Sequence, residues 1–128
     1  MSVTAAVIMI AIGLAMAGIW TRDIVAGAEV DRSAGLFRAR EAGTDSLFWL
    51  HWLAEYGTAA ALMTAAAALL AGAGWGRPLA FLAIGALVYS ATNALGWAFG
   101  RRERYPYAAP MLVSLVGAIA VLVLVLAS

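Results

Sequence analysis

Four stretches of roughly twenty residues, almost free of charge, limit what this chain can fold into. They run from about Thr4 to Trp20 (TAAVIMIAIGLAMAGIW), Leu47 to Ala73, Pro78 to Phe99 and Tyr107 to Ala127. Only the second carries an acid or a histidine, Glu55 and His51. A hydrocarbon layer of about 30 Å is crossed by about 20 apolar residues of helix. Lipid offers backbone polar groups no partner, which leaves helices or closed barrels. Unbroken Ala, Leu and Val runs lack the alternation of barrel strands. The sequence therefore predicts an all-α fold, a single integral membrane domain over 1–128. Its expected form is a four-transmembrane-helix bundle with helices at about 4–20, 47–73, 78–99 and 107–127 and a long polar or amphipathic loop between the first two.

Composition removes the competing classes. The 128 residues are 65% hydrophobic and 12% charged, against about 25% charged in soluble domains. Too few polar side chains exist to cover a soluble enzyme, and a net charge of +1 cannot neutralise a nucleic-acid backbone. With no Cys and one His, disulfides, thiolate zinc sites, iron–sulfur clusters and bis-histidine haem are excluded within one chain. Residues 51–55 read His-Trp-Leu-Ala-Glu, not HEXXH, and no Ser-His-Asp pattern, P-loop or GxGxxG turn is present. Neither catalysis, a metal nor a cofactor is expected. The start, Met1-Ser2-Val3, lacks the basic region of a cleaved signal peptide, so the first segment is expected to remain as a helix.

Breakers divide the chain in the same way. Gly72, Gly74, Gly76 and Pro78 frame a short turn between helices two and three, and Pro106 and Pro110 sit at the start of helix four. Thr44, Asp45 or Ser46 is placed to cap helix two. The link at 21–45 mixes four arginines with five acids and Ile24, Val25, Val30, Leu36 and Phe37. It reads either as short amphipathic pieces on the bilayer surface or as a solvated loop. Seven arginines, including Arg101, Arg102 and Arg104, fall on the side of this loop, and only Arg77 on the other. The positive-inside rule then puts both termini outside a multi-pass protein of the inner (plasma) membrane. Aromatic residues gather on the loop side too, Trp20, Trp52 and Trp97 among them. They read as an interfacial belt, a ligand mouth or a subunit contact. For close packing, helix one offers Ala11, Ala15 and Gly18, helix two its alanines, helix three Gly96 and Gly100, and helix four Gly117 and Ala118.

The candidate site lies in LHWLAEYGT. His51 and Glu55 are four apart, on one helical face. Glu55 is about 13 Å along the axis from Ser46, inside the hydrocarbon. An acid there is costly unless protonated or paired, and marks a functional position by default. Gly57 lets a neighbour approach, and Thr58 continues the face. Helix three runs the opposite way, which brings Tyr89 and Asn93 level with His51 and Glu55. A polar cluster of His51, Glu55, Tyr89 and Asn93 follows, with Trp52, Tyr56 and Trp97 as candidate pocket walls. It reads as a structural hydrogen-bond network, as the polar floor for an amphiphile or lipid headgroup, or as a proton relay or metal-ligand pair. Two ligands fall short of the three or four that zinc takes.

The layout resembles the DoxX-like families of small four-helix bacterial membrane proteins. The resemblance rests on size, a first helix followed by a long polar loop, Glu55-Tyr56-Gly57 in helix two, and a Gly/Pro turn into RPLAFLAIGALVYSATNALGW. It implies association with quinone-dependent oxidoreductase complexes or an assembly role, and of the residues it carries over only Glu55 and Gly57. Three functions stay open: binding of a lipid or quinone-like molecule in the bundle, an accessory subunit of a larger membrane complex, and a proton- or ion-coupled transporter. Expected partners are membrane lipids and a homo-oligomer or membrane-complex neighbour, with no nucleic acid.

Overall fold

A computed structural model describes residues 3–34, 48–100 and 102–127. It contains helices α1 (Val3–Ala34), α2 (Phe48–Leu70), α3 (Gly76–Phe99) and α4 (Ala108–Leu126), with a 3₁₀ turn, Arg102–Tyr107, leading into α4. No strand occurs among the described residues. Apolar spans within these helices cover Val3–Arg22, Trp52–Leu70, Gly76–Gly96 and Tyr105–Leu126. Each is 19 to 22 residues long, which at about 1.5 Å per residue matches the hydrocarbon thickness. Four helices of this kind are those of a small multi-pass membrane protein. Each helix packs on its neighbours in the chain, and α1 also packs on α4, which closes the ring.

The first helix differs from expectation. It does not stop at Trp20 but continues to Ala34, so residues 21–34 are helical rather than loop. The charged residues from Arg22 onward end the apolar run without ending the hydrogen-bond ladder. The rest of the expected loop, with the candidate caps Thr44, Asp45 and Ser46, lies outside the described residues.

The turn between α2 and α3 is built from its own backbone. Gly72 has φ +68°, a conformation cheap only for glycine. Its N–H donates to Leu69 O at 3.2 Å, and Ala73 N–H donates to Ala68 O at 2.9 Å, so two otherwise orphaned carbonyls are used. Gly76 follows because a Cβ there would lie 2.9 Å from Ala68 C and Leu69 N. On the same side, Arg77 donates to Leu126 O at 3.4 Å, placing a cation at the C-terminus of α4.

Small residues carry the packing, though not the ones expected on α1. Its buried face is Ala5, Met9, Ile12, Met16 and Trp20, a stripe at spacings of three and four. Ala11, Ala15 and Gly18 face outward instead. On α3 the close positions are alanines (Ala80, Ala83, Ala91, Ala94, Ala98), while Gly96 and Gly100 are exposed. True close approaches occur at Gly13, where an added Cβ would lie 2.9 Å from Met63 and 3.1 Å from the Ala59 carbonyl, and at Gly117 against Ile12. Above the main apolar core, on the side where α1 leaves the membrane, Trp20, Trp52, Ala94 and Met111 form a second cluster. The two tryptophans are 2% and 7% exposed, so they belong to the bundle interior and not to an interfacial belt.

Candidate functional site

Glu55 projects from α2 into the level where the two clusters meet. It is 1% exposed, in company with Leu62 and Leu87 as one of the largest fully buried side chains. Such a group is tolerated only when hydrogen-bonded. Trp20 Nε1–H donates to Glu55 Oε2 at 3.1 Å. Ser90 Oγ–H donates to Glu55 Oε1. One carboxyl group therefore joins three helices: α1 through Trp20, α2 through its own backbone, and α3 through Ser90.

The spacing explains the convergence. Glu55 is seven residues from the start of α2, and Ser90 is nine from the end of the antiparallel α3, so the two sit level within about one turn. Ser90 and its neighbours Ala83, Leu87, Ala91 and Ala94 lie on the inward stripe of α3. Tyr89, one position earlier, turns about 100° away and is 73% exposed.

Beside Glu55, α2 and α3 part to form an open groove of about 600 Å³. Its floor includes Glu55, Thr58 and Ser90, all buried. Its rim carries Tyr89 and Asn93, both exposed, and its apolar wall runs over Ala61, Leu82 and Ala86. Gly57 also faces the groove, with no atom within 4 Å of an added Cβ. It widens the opening and does not mark a helix contact, contrary to expectation. Thr58 Oγ1–H donates to Ala54 O at 2.8 Å, within its own helix.

Of the expected cluster, Glu55, Tyr89 and Asn93 share this groove, but the α3 hydroxyl bonded to the acid is that of Ser90. The side chain of His51, like that of Trp97, lies outside the described ones. Trp52 and Tyr56 do not line the groove. Trp52 packs in the second cluster and Tyr56 rests against it, its hydroxyl 2.8 Å from Thr21 Oγ1. Trp20 and Ser90 were the residues missed. Ser90 carried a signal, being a small hydroxyl on α3 level with the acid.

No known protein family, curated protein or solved structure matches this chain. Among the described residues no group of three His, Cys, Asp or Glu side chains is arranged to hold a metal ion. What the arrangement offers is a polar floor, held from three helices, beneath an open apolar groove. That combination suits holding a molecule with one polar end and an apolar body.

Proposed function

We propose that this protein binds a hydrophobic or amphiphilic small molecule, of lipid or quinone-like character, in the groove between α2 and α3. The observation that carries the reading is the groove itself: about 600 Å³, apolar along Ala61, Leu82 and Ala86, with Glu55 and Ser90 beneath. Ligand sites are concave and mostly apolar, with a few convergent polar groups, commonly between helices of bundles. The polar floor is preorganised, since the carboxyl group is already held by Trp20 and Ser90. The DoxX-like layout, Glu55 followed by Gly57, supports the same reading through that group's link to quinone-dependent complexes.

Native mass spectrometry of the purified protein tests it. The expected result is one co-purifying lipophile per chain, lost in Ala86→Phe, whose ring fills the groove wall. A wild-type protein free of any stoichiometric lipophile overturns the reading.

We further propose that both termini and the α2–α3 turn face outside, with Arg77 alone on that side. The chain has no cysteine, so Gly74→Cys supplies a single label site in the turn. It is expected to react with an impermeant maleimide in whole cells; protection until lysis reverses the orientation.

A further inference from the structure

The hydrogens in the floor of the groove are already committed. Ser90 Oγ–H points to Glu55 Oε1, and Thr58 Oγ1–H points to Ala54 O at 2.8 Å. Trp20 Nε1–H, a donor from α1, is directed at Oε2. A hydroxyl has one donor and two lone pairs, so a hydroxyl whose hydrogen is spent can still accept. Ser90 and Thr58 are 5% and 6% exposed and line the groove with Glu55. The remaining capacity of the two hydroxyls toward an occupant is that of acceptors. Asn93 and Tyr89 at the rim both donate and accept, so they impose no polarity of their own.

Resting on the binding role above, we propose that the groove selects amphiphiles by the polarity of their hydrogen bonding. It takes a head that donates, a hydroxyl or a protonated primary amine on an apolar tail, and rejects a head that only accepts or does neither. The donor lies over Ser90, Thr58 and Glu55, and the tail runs along Ala61, Leu82 and Ala86. Discrimination follows from what happens with the wrong head. An ether oxygen or a methylated nitrogen sets lone pair against lone pair, or carbon against lone pair, and strips water from buried acceptors without replacing it. Sites built around hydrogen bonds reject analogues lacking the matching group far better than apolar sites reject analogues differing by a methylene.

Matched pairs test this, with affinities measured by native mass spectrometry in an amine-oxide detergent, whose own head cannot donate. One pair is dodecanol and dodecyl methyl ether; the other is dodecylammonium and dodecyltrimethylammonium. The donor of each pair is expected to bind about 10-fold tighter or more, the consequence of leaving a buried acceptor unpaired. A preference confined to the ammonium pair, both of whose members are cations, narrows the head to a charged N–H donor, and one in both pairs assigns any donor. Ser90→Ala/Thr58→Val removes both hydroxyls while leaving the Trp20–Glu55 bond, and is expected to shrink the preference at least about threefold. A preference undiminished in that variant overturns the proposal. Equal binding within both pairs, abolished by Ala86→Phe, overturns the donor rule and leaves the groove as a binding site. Failure of all four probes to bind overturns both.

Discussion

The two halves of this bundle are held together by different means. Toward the turn between α2 and α3, the interior is aliphatic, of alanine, leucine, isoleucine, valine and methionine, with Ala65, Ala66, Ala80 and Ala83 fully buried. Cohesion there comes from short approach distances, because lipid is as apolar as the side chains and gives helices no hydrophobic reason to associate. Toward the other side, α1, α2 and α3 are joined by Trp20, Glu55 and Ser90 beneath a tryptophan cluster. One half is close-packed against backbone, as at Gly76; the other is joined through one shared acceptor. The groove opens beside the second kind of interior, with a carboxyl group and two hydroxyls in its lining.

The sharpest way to break the comparison is to remove the acceptor. Glu55→Ala leaves the Trp20 N–H and the Ser90 hydroxyl facing a void. Unsatisfied buried donors cost about 1–3 kcal/mol each, so a loss of about 3 kcal/mol is expected in detergent-unfolding titrations. Glu55→Gln should stay within about 1 kcal/mol, because its carbonyl still accepts from Trp20 while its amide donates to Ser90. Equal losses in the two variants would show that the carboxyl group itself, which Gln matches in volume, is what matters at this position.

The turn-side half is tested by addition. Gly76→Ala puts a Cβ 2.9 Å from the backbone at Ala68 and Leu69. Neither neighbour is a flexible side-chain end, so overpacking of about 2 kcal/mol is expected. Gly57→Ala is the control, since its Cβ would meet nothing within 4 Å. It should change stability by less than about 0.5 kcal/mol. If Gly57→Ala proved the more damaging, the groove beside Glu55 would have to be closed in solution.

The two halves also differed in how far the sequence disclosed them. Four spans and the turn at 71–75 were legible because membrane thickness and glycine conformation act locally. The end of α1 was not, since hydropathy reports where the apolar run stops and says nothing of the helix continuing past Arg22. Glu55 was legible as an acid amid apolar residues. Its partners were harder, because helical rise gives depth and leaves the facing direction undetermined. Tyr89, Ser90 and Asn93 all lie near one level, and only the packing of α3 turns Ser90 inward. Trp20 was ambiguous for another reason: an aromatic residue at the end of a span suits an interfacial belt and a buried cap equally well. On α1, Ala11, Ala15 and Gly18 formed as regular a stripe as the one that packs, and the larger Met9, Ile12 and Met16 filled the interior instead.

The smallest expected effect separates the buried acid from polar contacts in general. Thr21 and Tyr56 also join α1 to α2, through hydroxyls 2.8 Å apart, yet this contact is exposed. It lies one residue from Trp20 on α1 and one from Glu55 on α2, so both contacts span the same interface. Hydrogen bonds between membrane helices average about 0.6 kcal/mol in double-mutant cycles. The cycle Thr21→Val with Tyr56→Phe should give about that coupling or less, since the hydroxyls exchange readily with other partners at the membrane surface. The parallel cycle Trp20→Phe with Glu55→Leu should give about 1.5 kcal/mol, because both partners are fully buried. Equal couplings would mean that the carboxyl group stabilises the bundle no more than a surface hydroxyl does. Its burial would then have to be explained by what it offers the groove, not by what it holds together.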